Sequence, residues 1–137
     1  MSRVVAEGHP TLQQLMRDMF SSMVEAKDIT KVEEYYDPDF ELYTNGQTQD
    51  FEAFRAGHER VYPTDISYSV RCDDDTWVES GDRLAARVWI TTVRPREQPM
   101  EIEVVLIALY RDRRILRMWE LTWPDWSKMQ AFETYGG

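Results

Sequence analysis

Arg87, Glu103 and Glu120 each interrupt a different apolar, alternating segment in the second half of the chain. A charge buried on a sheet is costly unless it meets an opposite charge or several hydrogen bonds. If the three segments are neighbouring strands, an arginine between two carboxylates makes such burial tolerable. We therefore expect these three side chains to point inward together and to form the floor of a pocket.

Glu120 is the candidate general base of this trio. Desolvation among Trp, Met and Val side chains would raise its pKa toward the working range of a base. The alternative is a purely structural ion pair between Arg87 and Glu120. Arg87 is expected to orient the carboxylates rather than bind substrate, because two acids would already occupy its guanidinium group. Glu103 is a candidate acid.

His58 lies on the apolar side of a predicted helix, where an imidazole could give or take a proton at physiological pH. A buried structural histidine is the alternative interpretation. The other histidine, His9, is distant in sequence and neither has a cluster of cysteines beside it, so no metal site is expected. No glycine-rich phosphate loop is present, and we expect no cofactor.

The first half of the chain has helical periodicity. Apolar residues recur at helical spacing after a Thr11/Gln14 capping-box pattern, Asp28 can cap a short second helix, and a third apolar stripe ends before Pro63. The predicted helices span about 11–26, 28–37 and 50–61. Residues 1–10 are expected to be flexible.

From residue 66 onward the apolar period changes to two. A short strand at 40–44, closed by an Asn45-Gly46 turn, precedes this region. Five further strands are predicted at 66–71, 76–79, 83–94, 100–110 and 115–123. Helices followed by a meander of strands predict an α+β fold, with the helices on one face of a curved, mainly antiparallel sheet.

The predicted strands are apolar on both faces, whereas an antiparallel sheet with one wet face should alternate apolar and polar residues. The helices can cover only one of these faces. Since soluble monomers avoid large exposed apolar patches, the pattern predicts a homodimer formed through the outer face of the sheet.

Composition limits the remaining possibilities. The 137 residues suffice for a single domain, 1–137, and the net charge of −9 argues against nucleic-acid partners. The longest apolar run, 104–110, is far shorter than a membrane helix, so no membrane partner is expected. A single cysteine, Cys72, favours a cytoplasmic protein.

A small apolar molecule is the expected ligand, because flexible methionines and aromatic rings suit an apolar pocket. These side chains recur on the predicted helices and on the predicted inward face of the strands. The candidate ligand-binding residues are Met19, Phe20, Tyr35, Phe54, Trp89 and Met118.

The order of elements and several segments resemble the nuclear transport factor 2-like superfamily, in its branch of SnoaL-like proteins and limonene epoxide hydrolase. The segments that carry the resemblance are 35–40, 51–55 with Tyr62-Pro63, 81–87 and 115–120. The resemblance implies a cystatin-like, cone-shaped fold with three N-terminal helices on the concave side of the sheet.

Limonene epoxide hydrolase has a Tyr-x-Asn, an Arg-x-Asp and a last-strand Asp. The resemblance therefore implies that Tyr43 and Asn45 position a water, with Glu120 in the place of the last-strand acid. Arg87 matches the arginine, but Trp89 stands in place of the central Asp, so Glu103 would have to supply the acid. The general base of ketosteroid isomerase and the cyclase aspartate have no counterpart.

These observations lead to one main hypothesis and two alternatives. The chain is expected to be a cofactor-independent acid/base isomerase, cyclase or hydrolase, in which Glu120 is the base and Glu103 or His58 the acid. The first alternative is a non-catalytic ligand-binding homodimer of the same fold. The second is a protein-interaction module, which only the acidic surface favours.

Overall fold

The computed structural model describes residues 10–125. Three α-helices precede most of a curved, seven-stranded sheet, and the predicted α+β cone fold is confirmed. The expected flexibility of 1–10 falls almost entirely outside the described residues. The helical elements are α1 (Leu12–Met19), a π-helical turn (Phe20–Glu25), a 3-10 turn (Ile29–Lys31), α2 (Val32–Tyr35) and α3 (Phe51–Val61).

Helix α1 begins where the sequence predicts. Thr11 and Gln14 form the capping box, and the Glu79 carboxylate accepts hydrogen bonds from the amides of Leu12 and Gln13 at 3.2 and 3.3 Å. The predicted continuation to residue 26 is π-helical rather than α-helical from Phe20 onward. This wider turn presents its apolar side chains to the sheet, and such turns often occur at functional sites.

The sheet is mixed and open. Its order is β2-β1-β7-β6-β5-β3, with β4 on the free part of β5, and the only parallel pair among the described strands is β1 with β7. The predicted Asn45-Gly46 turn is present, but β2 after it has a wholly polar sequence and no period that predicts it. The strands are β1 (Tyr36–Thr44), β2 (Gln47–Asp50), β3 (Ser67–Cys72), β4 (Val78–Ser80), β5 (Arg83–Val93), β6 (Met100–Arg111) and β7 (Arg114–Trp123).

The core lies between the helices and the concave face of the sheet. The even-numbered positions of β5 and β6 face it, and most of their side chains are buried, as are the apolar side chains on the inner sides of α1 and of the π-helical turn. Fully buried members of this core include Met16, Met23, Val32, Val88, Leu106 and Ala108.

A register shift between β6 and β7 decides which side chains of β7 face inward. Tyr110 pairs with Ile115, but Leu109 pairs with Arg117, so Leu116 is an extra residue on β7. Beyond it, Leu106 pairs with Glu120. Directly opposed residues share a face of the sheet, so Glu120 lies on the concave face beside Leu106.

The predicted clustering of the three charged residues is therefore wrong. Arg87 pairs with Val105 and Glu103 pairs with Trp89, so all four side chains share the outer face of the sheet, opposite to Glu120. Without the extra residue on β7, Glu120 would oppose Val105 and would share the face of Arg87. A one-residue slip exchanges the two faces of a strand.

The outer face is strongly apolar at the centre of the sheet. Register pairs place every exposed large hydrophobic side chain of the described residues on this face. Leu121 and Trp123 are 68% and 74% exposed, which is unusual for side chains of this size. The full set is Val78, Val93, Val105, Ile107, Leu121 and Trp123.

Among the described residues, no helix combines the length and the apolar character that crossing a membrane requires.

Candidate functional site

A cavity of about 150 Å³ lies between the helices and the concave face of the sheet. Its walls are mostly apolar. Helical residues Met19, Phe20, Met23 and Val24 form one side, and Ile90, Ile102, Val104, Leu106 and Met118 form the floor. Polar groups are few and come from Gln49, Thr122, three tyrosines, His58 and Glu120.

Glu120 is the one carboxylate among the described residues that line this cavity. The parallel pairing of β1 with β7 sets Thr44 directly beside it, and the Thr44 hydroxyl donates a hydrogen bond to Glu120 Oε1 at 3.0 Å. Burial raises the pKa of Glu120 to about 7, because desolvation outweighs the opposing effect of this hydrogen bond. Both the acid and the carboxylate are therefore populated near neutral pH.

His58 also lines the cavity, from α3. Its Nδ1 lies 2.8 Å from the carbonyl oxygen of Phe54. Because a carbonyl oxygen can only accept, Nδ1 carries the proton of the neutral ring. Burial lowers the pKa of His58 to about 4, so the imidazole is uncharged at neutral pH.

Five aromatic rings form a continuous row along one wall, and all five line the cavity. Ring centroids are 4.8 Å apart from Tyr36 to Phe54, 4.3 Å from Phe54 to His58, 5.3 Å from His58 to Tyr62 and 6.0 Å from Tyr62 to Tyr68. The nearby Glu120 is one cause of the raised pKa of Tyr36, after burial and two other tyrosines. The row therefore leads from the Glu120 end of the cavity to β3.

Tyr62 and Tyr68 stand out because their hydroxyl groups are buried and have no hydrogen-bond partner among the described residues. Burial raises the pKa of both phenols above the ordinary value, so both remain protonated. An unpartnered buried hydroxyl costs free energy. No pattern in the sequence distinguishes these two tyrosines, and Tyr62 enters only through the Tyr62-Pro63 segment of the resemblance.

Arg87 is remote from the cavity. On the outer face its guanidinium lies 3.1 Å from Asp73 Oδ2 and 3.3 Å from Glu103 Oε2, and it packs 4.5 Å above the Trp89 ring. An arginine between two carboxylates is thus present, but the second acid is Asp73 instead of Glu120. Arg87, Glu103 and Trp89 are therefore wrongly predicted as pocket residues.

Tyr43 and Asn45 do not contact the Glu120 carboxylate as the resemblance implies. Tyr43 is on the outer face, where its hydroxyl donates to Glu41 at 2.6 Å and its ring stacks on Trp119 at 5.9 Å. The Asn45 side chain donates a hydrogen bond to the Thr122 hydroxyl at 2.7 Å and accepts one from the Thr122 amide at 3.0 Å. It therefore fixes the end of β7 beside the cavity. The residue between them, Thr44, is the one that binds Glu120.

The predicted ligand-binding residues divide in the same way. Met19, Phe20, Phe54 and Met118 line the cavity. Tyr35 is buried in the core, but its neighbour Tyr36 faces the cavity instead.

Within residues 10–125, no three His, Cys, Asp or Glu side chains are grouped so that they could hold a metal ion.

The chain is similar to known proteins in its sequence family and in its fold. A family model described as a SnoaL-like domain matches residues 16–118. The comparison with curated proteins returned no match. Solved structures with 11–18% identity share the fold alone.

One of these structures is IdmH, a putative polyketide cyclase from Streptomyces antibioticus, with 18% identity, a TM-score of 0.65, and coverage of 82% of this chain and 92% of that one. PrhC from Penicillium brasilianum has 17% identity and a TM-score of 0.67, covering 81% and 79% of the two chains. An LEH-like epoxide hydrolase of M. tuberculosis has 11% identity and a TM-score of 0.67, covering 80% and 83%.

Proposed function

The chain belongs to the SnoaL-like domain family, and from that premise we propose that it is a cofactor-independent acid/base enzyme acting on a small, largely apolar molecule. The reaction classes that suit this site are isomerisation, cyclisation and hydrolysis. Two of the similar structures are named as a putative polyketide cyclase and an epoxide hydrolase, which fits these classes.

The observation that carries the proposal is the state of Glu120. A carboxyl group whose pKa is about 7 is half ionised at neutral pH, and a general acid or base works best when its pKa is near the working pH. The apolar walls exclude competing water and keep the carboxylate weakly solvated. Glu120 is therefore the group that takes a proton from the substrate or from an attacking water, and that returns it later in the cycle.

His58 has a different role from the acid that the sequence suggested. With a pKa of about 4 it is neutral, and its Nδ1 proton is held by Phe54. A neutral imidazole can still orient a ligand at its ring edge. Glu103 lies on the other side of the sheet, so Glu120 is the residue that both removes and returns the proton.

The proposal is tested by measuring the pH dependence of turnover for a panel of epoxides, lactones and enolisable ketones. Glu120→Gln should lower kcat/KM by about 100-fold or more, the usual contribution of a positioned acid/base group. Glu103→Gln is the matched control, because it makes the same change on the opposite face and should leave turnover within about twofold of wild type. Turnover that survives Glu120→Gln would exclude this mechanism.

A non-catalytic ligand-binding homodimer is the second candidate. It is favoured by the scarcity of polar groups in the cavity, where Glu120 is the one carboxylate contributed by the described residues. Saturable ligand binding without turnover of any panel member would support the binder over the enzyme.

We also propose that a second copy of the chain covers the outer face of the sheet. All six exposed large hydrophobic side chains of the described region lie there, with Leu121 and Trp123 the most exposed. Charged residues such as Arg71, Arg87 and Glu101 flank this apolar centre on β3, β5 and β6. An apolar centre with a charged rim is the usual composition of a stable interface.

A further inference from the structure

We propose that Tyr62 and Tyr68 form an oxygen-binding subsite, in which their two hydroxyl groups donate hydrogen bonds to one acceptor oxygen of an uncharged ligand. The inference deepens the proposed function, because it rests on the cavity being a ligand site. It does not depend on Glu120 being catalytic.

The first support is that both hydroxyl groups lack a partner. They are buried, line the same cavity through their side chains, and find no hydrogen-bond partner among residues 10–125. Leaving a buried donor unsatisfied is costly, and the cost is recovered when a ligand supplies the acceptor. The two rings are neighbours, with centroids 6.0 Å apart, and both line the same part of the cavity. One ligand oxygen that accepts from both hydroxyl groups would therefore satisfy both.

The second support is the chemistry of the two groups. Burial raises the pKa of both phenols, so neither ionises in the physiological range. A carbonyl oxygen has two lone pairs and can accept from both hydroxyls at once, whereas a ligand hydroxyl accepting in the same way brings a proton of its own that would need a further acceptor among the apolar walls. The pair therefore selects a carbonyl oxygen over a donor group.

The third support is the character of the other lining residues. No Lys or Arg lines the cavity within the described part of the chain, and the one cation that acts on the subsite, Arg94 near Tyr68, lies outside the lining. The walls between Tyr68 and Glu120 are the aromatic row and the apolar floor. The ligand class is therefore an uncharged, largely hydrocarbon carbonyl compound.

The positions of the elements separate this subsite from Glu120. Tyr62 caps the end of α3 and Tyr68 lies on β3, while Glu120 is on β7. β3, which carries Tyr68, and β7 are three strand positions apart, which corresponds to about 14 Å measured along the curved sheet at the usual strand spacing. A ligand held by its oxygen at the two tyrosines would extend toward Glu120 along the aromatic row.

A matched pair of probes tests the subsite. 1-Indanone and indane have the same ring skeleton and differ by the carbonyl group. Their affinities are measured by NMR titration of wild type, Tyr62→Phe, Tyr68→Phe and the double variant. Wild type should bind 1-indanone about tenfold or more tighter than indane, as expected for two hydrogen bonds of ordinary net strength. Each single variant should lose part of this preference, and the double variant all of it.

Tyr110→Phe is the matched control. The hydroxyl of Tyr110 is also buried without a partner among the described residues, but Tyr110 does not line the cavity. This variant should keep the full preference for 1-indanone. The proposal is overturned if the double variant keeps the preference, if Tyr110→Phe loses it, or if wild type binds neither probe saturably or both equally.

The same titration in Glu120→Gln separates this inference from the proposed function. If Glu120→Gln binds 1-indanone with the wild-type preference while neither protein catalyses any panel reaction, the subsite stands and the enzyme proposal fails. If turnover depends on Glu120 but no carbonyl preference exists, the enzyme proposal stands and the subsite fails.

Discussion

Thr44 and Glu120 are direct neighbours across the parallel pair β1–β7, and the Thr44 hydroxyl donates to Glu120 Oε1 at 3.0 Å. This bond favours the ionised carboxylate and so opposes the desolvation that raises the pKa of Glu120. It also leaves Oε2 as the oxygen available to a substrate. Thr44 is therefore a positioning residue for the proposed base.

Thr44→Val should move the acid–base transition of the enzyme to higher pH. The isosteric change removes the hydroxyl donor, so the pKa of Glu120 should rise above its present value of about 7. The base-dependent limb of the pH–rate profile reports this pKa. Thr44→Ser keeps the donor and should retain the wild-type profile. An unshifted limb in Thr44→Val would mean that this bond does not control Glu120.

Glu120→Gln should change how stability depends on pH. The folded-state pKa of Glu120, about 7, is higher than the ordinary 4.5, so the folded protein binds this proton more tightly than the unfolded chain does. The stabilising contribution of the proton is complete below pH 4.5 and is lost as the pH rises through 7. At high pH the wild type should lose up to about 3 kcal/mol that Glu120→Gln retains.

Urea unfolding at a series of pH values and one protein concentration measures this difference. The free energy of unfolding of Glu120→Gln minus that of wild type should increase between pH 4.5 and 8. Glu103→Gln, on the outer face, should show a constant difference over the same range. A constant difference for Glu120→Gln as well would contradict the raised pKa.

Arg87→Met should affect stability slightly and the cavity not at all. The Arg87 side chain is 39% exposed and pairs with Asp73 and Glu103 on the outer face. Ion pairs of this exposure contribute about 1 kcal/mol or less. The dissociation constant for 1-indanone should stay within twofold of wild type, and Arg87→Lys should behave alike. A large loss of ligand affinity in Arg87→Met would contradict the placement of Arg87 away from the cavity.

Leu121→Lys should convert the proposed dimer into a monomer. Leu121 is 68% exposed at the centre of the outer face, and removing an ammonium group at this position from water on association would cost free energy. Light scattering should give 16.3 kDa for this variant and twice that mass for wild type. Ala53→Lys adds the same charge to an exposed position of α3 and should remain dimeric. A monomeric wild type at micromolar concentration would exclude the dimer.

The sequence predicted the elements better than the faces of the strands. Capping at Thr11, the turn at Asn45 and the change of period all follow from local chemistry. When both faces of a strand are apolar, however, alternation cannot tell which set points inward. The extra residue Leu116 exchanges the faces of β7 relative to β6, and a register shift of this kind leaves no mark in hydropathy.

The same limit explains the mixed result for the site. Glu120 and His58 were selected because a polar group on an apolar surface is conspicuous in a sequence. Tyr62 and Tyr68 are conspicuous only when the partners of their hydroxyl groups are known, which requires coordinates. The role of Thr44 depends on its pairing with Glu120 across β1 and β7, and this pairing is not visible in the sequence.

The pKa values of His58 and Glu120 determine the net charge of these two cavity residues at each pH. Between about 4 and about 7 the imidazole is neutral and the carboxyl group is protonated, so this pair contributes no net charge. Acidification below this interval adds a cation, and alkalinisation above it adds an anion. A neutral ligand therefore meets an uncharged cavity in mildly acidic solution. As the pH rises through neutrality, the cavity gains the negative charge of Glu120, which is the form that can accept a proton.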